Sequence, residues 1–109
     1  SYTDSIGTVD NWMRLGLFAR RAGDPDTAKT ALLTAARIDR GVSVAPQIQL
    51  YDLYSSVGDN AEANRRLRMA YFIDPKNSDV VTRIKSSKEL SAGPFYGLPP
   101  DERTATVNP

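Results

Sequence analysis

Apolar residues along this chain fall into short stripes at three- and four-residue spacing, each closed by a glycine or a proline, and these stripes predict helices. Trp12, Leu15, Ala19 and Ala22 form the first, the signature of a helix with one buried side. Gly23 ends it, and Asp24 can cap the next helix while Pro25 takes its first turn, where a missing N–H is not needed. Ala28, Leu32, Ala35 and Ile38 carry the stripe down the second helix, which Gly41 stops. A third helix is predicted from Pro46 near its start, with Leu50, Leu53, Tyr54 and Val57 as its stripe and Gly58 as the break. Asp59, followed three residues later by Glu62, opens a fourth in the manner of a capping box. Its stripe is Ala63, Leu67, Ala70 and Ile73, before Asp74-Pro75 halts it. Ser78 and Asp79 open a fifth, with Val80, Val81, Ile84 and Leu90 on its apolar side and Ala92-Gly93-Pro94 as its end.

The stripes also recur at a fixed distance. Gly23 and Gly58 stand 35 positions apart (58 − 23), and the same offset relates Leu15 to Leu50, Ala28 to Ala63, Leu32 to Leu67, Ala35 to Ala70, Ile38 to Ile73 and Asp39 to Asp74. A period of this size marks stacked units that cannot bury their apolar faces singly. Trp12, Leu15, Gly16, Gly23, Asp24, Ala28, Leu32 and Ala35 resemble the first unit of a tetratricopeptide repeat. Leu50, Gly58, Asp59, Ala63, Leu67, Ala70, Asp74 and Pro75 resemble the second, and Ser78 to Leu90 is similar to the helix that closes such arrays. The resemblance covers about Val9 to Asn77 and implies an all-α fold of tetratricopeptide-type helical hairpins: two repeats and a closing helix, with extended N- and C-terminal segments. The expected organisation is an extended segment over 1–8, the helical domain over 9–90 and a Pro/Gly-rich tail over 91–109. The chain departs from the family pattern where Gln47 replaces the aromatic, Tyr51 the small residue at the helix crossing and Arg40 the proline, and where one residue is inserted between units. A ring at Tyr51 is expected to push the paired helices apart or rotate them.

The small residues on the stripes let helix axes approach closely, so they define the fold and leave function to other surfaces. In repeats of this kind the first helix of each unit lines a concave face used for segments of other proteins. The resemblance assigns that face to Asp10, Met13, Arg14, Leu17, Arg20 and Arg21, then to Gln49, Asp52 and Ser56, and finally to Thr82, Arg83 and Ser86. Met13 and Leu17, one turn apart, are expected to be partly exposed, and the arginines offer forked contacts to acidic groups. Similar domains that grip the terminal carboxylate of heat-shock chaperones carry Lys or Arg and Asn where Met13 and Leu17 stand. A chaperone tail is therefore not the expected partner.

Composition narrows the chemistry. The 109 residues, 40% hydrophobic, suit a single small domain. Cysteine and histidine are both absent, which removes disulfides, thiol nucleophiles, imidazole bases and thiolate or imidazole metal sites. Asp24, Asp26, Asp39 and Asp74 fall at helix ends, where capping accounts for them. No catalytic residue, metal or cofactor is expected. The 14 Lys+Arg and 13 Asp+Glu balance to +1, so no global field recruits nucleic acid or an acidic membrane. Nucleic-acid binding could rest on Arg65, Arg66 and Arg68, but Asp59 and Glu62 dilute that patch and no aromatic is interleaved for stacking. No stretch approaches the roughly 20 apolar residues of a membrane span. A start at Ser1 is expected of a processed product or of a piece of something longer.

The tail GPFYGLPPDERTATVNP is rich in Pro and Gly, and such a make-up is not expected to form a helix or a core of its own. Phe95, Tyr96 and Leu98 are nonetheless bulky for a solvated tail and suggest docking, on this chain or on a neighbour. The expected function is a non-catalytic protein–protein interaction module, a structural or assembly subunit of a larger complex anchored through that tail. The alternative is a free adaptor that captures a peptide or helix in its concave groove, with nucleic-acid binding as a distant third.

Overall fold

The computed structural model describes the backbone of residues 2–87 and 98–109, with side chains from residue 8 onward in the first span. Among these residues the chain is all-α: α1 (Tyr2–Arg21), α2 (Pro25–Asp39), α3 (Ala45–Ser56), α4 (Asn60–Ile73), α5 (Ser78–Ser86) and α6 (Pro100–Val107). Helices α1 and α2 form one antiparallel hairpin and α3 and α4 a second. The two are stacked through α2 and α3, and α5 and α6 both lie on α4.

The corners of the two hairpins are built alike, bond for bond. Gly23 and Gly58 have φ of +79° and +83°, a region that costs a Cβ-bearing residue but not glycine. Asp24 N–H reaches back to the Ala19 carbonyl and Gly23 N–H to that of Arg20, at 2.9 and 3.2 Å; Asp59 and Gly58 do the same with Tyr54 and Ser55, at the same two distances. This paired closure satisfies carbonyls that the helix end would leave open. The Asp24 side chain then accepts the Thr27 N–H at 3.1 Å, and Asp59 accepts that of Glu62 at 3.3 Å. The sequence repeat is therefore also a repeat of backbone hydrogen bonds.

Two apolar clusters hold the stack. In the first, Leu50 and Leu53 of α3 pack on Ala19, Ala28, Leu32 and Ala36, with Met13, Leu33 and Tyr54 around them. The second joins Ile48, Leu67, Ala70 and Val80, flanked by Val44, Tyr51, Tyr71 and Ile84. Small residues set the spacing within the first hairpin: a Cβ on Gly16 would stand 2.7 Å from Leu32 Cγ and Cδ2, closer than two carbon atoms tolerate. Tyr51, at the matching position, is half-buried, and α3 and α4 remain packed.

Several expectations need correction. Helix α1 begins at Tyr2, so residues 2–8 are helical rather than extended. That stretch holds no proline, and elongating a helix already nucleated downstream is easy. Leu15 and Val57 are 42% and 54% exposed and Ala22 is exposed, so the stripes of α1 and α3 are narrower than predicted. The fifth helix ends at Ser86, capped at its start by Asn77, whose side chain accepts the Asp79 and Val80 N–H groups. The expected contribution of Leu90 and the break at 92–94 lie outside the described residues.

The tail also differs: Pro100–Val107 is helical. Pro100 occupies the first helical turn, where proline fits, and Asp101 and Glu102 complement the helix dipole. This helix is held in place by partners elsewhere in the chain, which the composition of the tail does not reveal.

Candidate functional site

The residues that the resemblance assigns to a concave face are the first candidate, and the structure divides them. Met13 is half-buried against the first apolar cluster, so much of it belongs to the core. Leu17, Arg20 and Gln49 are half-buried, while Asp10, Arg14, Arg21, Ser56, Thr82 and Ser86 are exposed. Asp52 and Arg83 are brought together. Arg83 donates from Nε to Asp52 Oδ1 at 2.9 Å and from Nη2 to Oδ2 at 2.8 Å, a two-pronged pair that ties α3 to α5. The Asp52 hydrogen bonds raise the Arg83 pKa, against a smaller opposing effect of burial. Ser56 and Ser86 hydroxyls donate to the Leu53 and Thr82 carbonyls. Asp52, Ser56, Arg83 and Ser86 are thus engaged within the chain, and among the residues assigned to this face Arg14 and Arg21 are the exposed cations.

The arginines of α4 are likewise engaged. Arg65 and Arg66 both meet Glu62 Oε1 at 3.0 Å, and Arg66 Nη1 donates to Gln47 Oε1 at 3.2 Å. Gln47, 3% exposed, stands where the repeat pattern has an aromatic, and this bond meets the need of a buried amide for a partner. Arg68 makes a two-pronged pair with Glu102 of α6, at 3.1 and 2.6 Å. The basic patch is an ion-pair network and not an open row of cations.

The tail docks on the chain itself. Leu98 is 4% exposed and Thr106 fully buried, its hydroxyl donating to the Glu102 carbonyl. Arg40 Nη2 donates to Asn108 Oδ1 at 3.2 Å. A Cβ on Gly41 would lie 3.0 Å from Val107 Cγ1 and 3.2 Å from the Thr106 carbonyl oxygen, so α6 closes onto the α2–α3 loop as well as onto α4. Leu98, expected as an anchor for a neighbouring subunit, is used internally. Phe95 and Tyr96 lie outside the described residues.

A surface that the sequence reading did not single out lies on the outer side of α1. Phe18 is 70% exposed and Leu15 42%, and beside them Trp12 and Leu15 form the wall of an open hollow with Asp26, Thr27, Thr30 and Ala31. Phe18 follows Leu15 by three residues and Trp12 by six, a spacing that puts all three on one side of the helix. That spacing was the available signal.

Among the described residues no group of three acidic side chains gathers closely enough to hold a metal ion, and no described helix is long and apolar enough to cross a membrane. No family model, no curated protein and no solved structure matches this chain.

Proposed function

We propose that this chain is a non-catalytic protein–protein interaction module, a structural subunit of a larger assembly that docks through the outer face of α1. The observation that carries this reading is the exposure of Phe18 and Leu15 beside the hollow lined by Trp12. An aromatic-rich apolar patch on so small a domain marks an interaction surface, and aromatic anchors supply much of the binding energy in interfaces. The likeness of the hairpins to tetratricopeptide repeats, whose known role is to bind protein, supports the same class of function.

The concave groove is the weaker site, because Met13 is half-buried against the first apolar cluster and Asp52 and Arg83 already satisfy one another. The test is sedimentation of the tagged chain in extracts of its source cells. The parent should travel in a particle larger than its 12.0 kDa, and Leu15→Ser with Phe18→Ser should release it. A parent that sediments as a free monomer overturns the reading, and release by Arg14→Glu with Arg21→Glu instead would move the site to the groove.

A further inference from the structure

The 35-residue register assigns a meaning to the exposed patch. Leu15 and Phe18 correspond to Leu50 and Leu53 (50 − 15 and 53 − 18), and Trp12 corresponds to Gln47. Those counterparts are 0%, 2% and 3% exposed. What covers Leu50 and Leu53 is the preceding unit, through Ala28, Leu32 and Ala36 of α2. The outer face of α1 is therefore the same face as the one on α3, one repeat earlier, without a neighbour among the described residues. It continues an interface already present inside the molecule.

We infer that this face is the receiving side of a stacking joint, and that its occupant is a further helical hairpin whose second helix presents small residues and a leucine at four-residue spacing, as Ala28, Leu32 and Ala36 do. This rests on the interaction-module reading above and names its partner by shape. The exposed apolar residues are large, so the surface they fit is one of small residues that lets helix axes approach. The α2 surface of a second copy does not serve, because its Ala28, Leu32 and Ala36 are already buried against Leu50 and Leu53 of its own α3. Trp12 in place of Gln47 suits an apolar occupant, since Gln47 is held by Arg66 and the residue matching Arg66 in the first unit is Ala31.

The test extends the chain in register. Residues 10–44 are duplicated ahead of residue 10, so that the native 40–44 connection leads into α1 as it leads into α3, and the added tryptophan is changed to phenylalanine. Trp12, the single tryptophan of the parent, is then the sole reporter. Its emission should shift to shorter wavelength, helix content should rise, and the melting midpoint should climb by about 5 °C or more. Leu15→Ser with Phe18→Ser should abolish the gain in the extended chain while leaving the parent midpoint nearly unchanged. An added unit that stays unfolded, an unshifted emission, or a gain that survives both substitutions overturns the inference. So does a concentration-dependent dimer of the parent that the same two substitutions dissolve, which would make a second copy the occupant. A monomer in native extracts would instead sink the module reading, and the two failures are read separately.

Discussion

The two hairpins share a register and corners but reach different helix contacts. In the first, Gly16 lets α1 and α2 close onto the Leu32 side chain, and this pair makes the most extensive helix contact among the described residues. In the second, the matching residue is Tyr51, half-buried beside the cluster of Ile48, Leu67, Ala70 and Val80. That cluster includes a residue from α5, and α5 and α6 both brace α4 from further along the chain. The first hairpin has a close approach of its own besides the cover of α3, and the second is braced by two added helices. The contrast extends to the outer faces: α3 is covered by α2, while Leu15 and Phe18 of α1 face solvent. Whether a stripe is buried depends on the next helix, not on the stripe.

Truncating the central leucines has the largest expected effect. Leu32 and Leu67 are both fully buried, and Leu→Ala at either should cost about 2–5 kcal/mol through lost contacts and a cavity. Urea titration followed by circular dichroism measures it, and a Leu67→Ala variant that melts like its parent would mean the second hairpin does not rest on that cluster.

Gly16→Ala sharpens the difference. Its Cβ collides with a buried Leu32, a cost of about 1–3 kcal/mol, against about 1 kcal/mol gained in helix propensity. A net loss near 1 kcal/mol is expected. In a Leu32→Ala background the collision disappears and the same substitution should become stabilising, a sign reversal that a double-mutant cycle reads directly. Additive effects would show that the close approach is not what the glycine serves.

A smaller effect is expected at α6. Glu102→Gln weakens its pair with Arg68, whose side chain is 30% exposed against 13% for Glu102, so the loss should be about 1 kcal/mol or less and shrink further at high salt. Hydrogen exchange should quicken in Pro100–Val107 and leave α1–α2 unchanged. Faster exchange in the first hairpin would contradict the division of roles.

The smallest change concerns the exposed cap. The Thr27 hydroxyl and then its N–H hold the Asp24 carboxyl below its ordinary value of 3.8. Its contribution is complete above that value and is lost as pH falls through the lowered native one. Asp24→Ala should lower the midpoint slightly at pH 7 and flatten the fall of the midpoint below about pH 4. An identical acid profile would show that the cap plays no part in it.

Much of this was legible in the sequence because it is local chemistry. Gly23, Gly58, Asp24 and Asp59 announce their corners, since positive φ and an N-cap oxygen are demands that few residue types meet. The stripes of α2 and α4 were legible because those helices have neighbours on both sides. Leu15, Phe18 and Val57 were not, since periodicity tells which side of a helix would be buried and not whether anything lies against it. Gln47 and Arg66, Asp52 and Arg83, and Arg68 and Glu102 meet across the fold, out of reach of spacing rules. Helix α6 hid behind the prolines that start it, and Leu98 was legible as a docking residue, with its own chain and a neighbour both open as the surface it meets.

The matched pair Leu15→Ala and Leu50→Ala tests most directly whether the two units share one design with only the second covered. Measured as unfolding free energies in the same buffer, Leu50→Ala should cost about 2–5 kcal/mol and Leu15→Ala less than about 1 kcal/mol. Equal losses at the two positions would contradict it, because they would mean that α1 is already covered where its outer face is open.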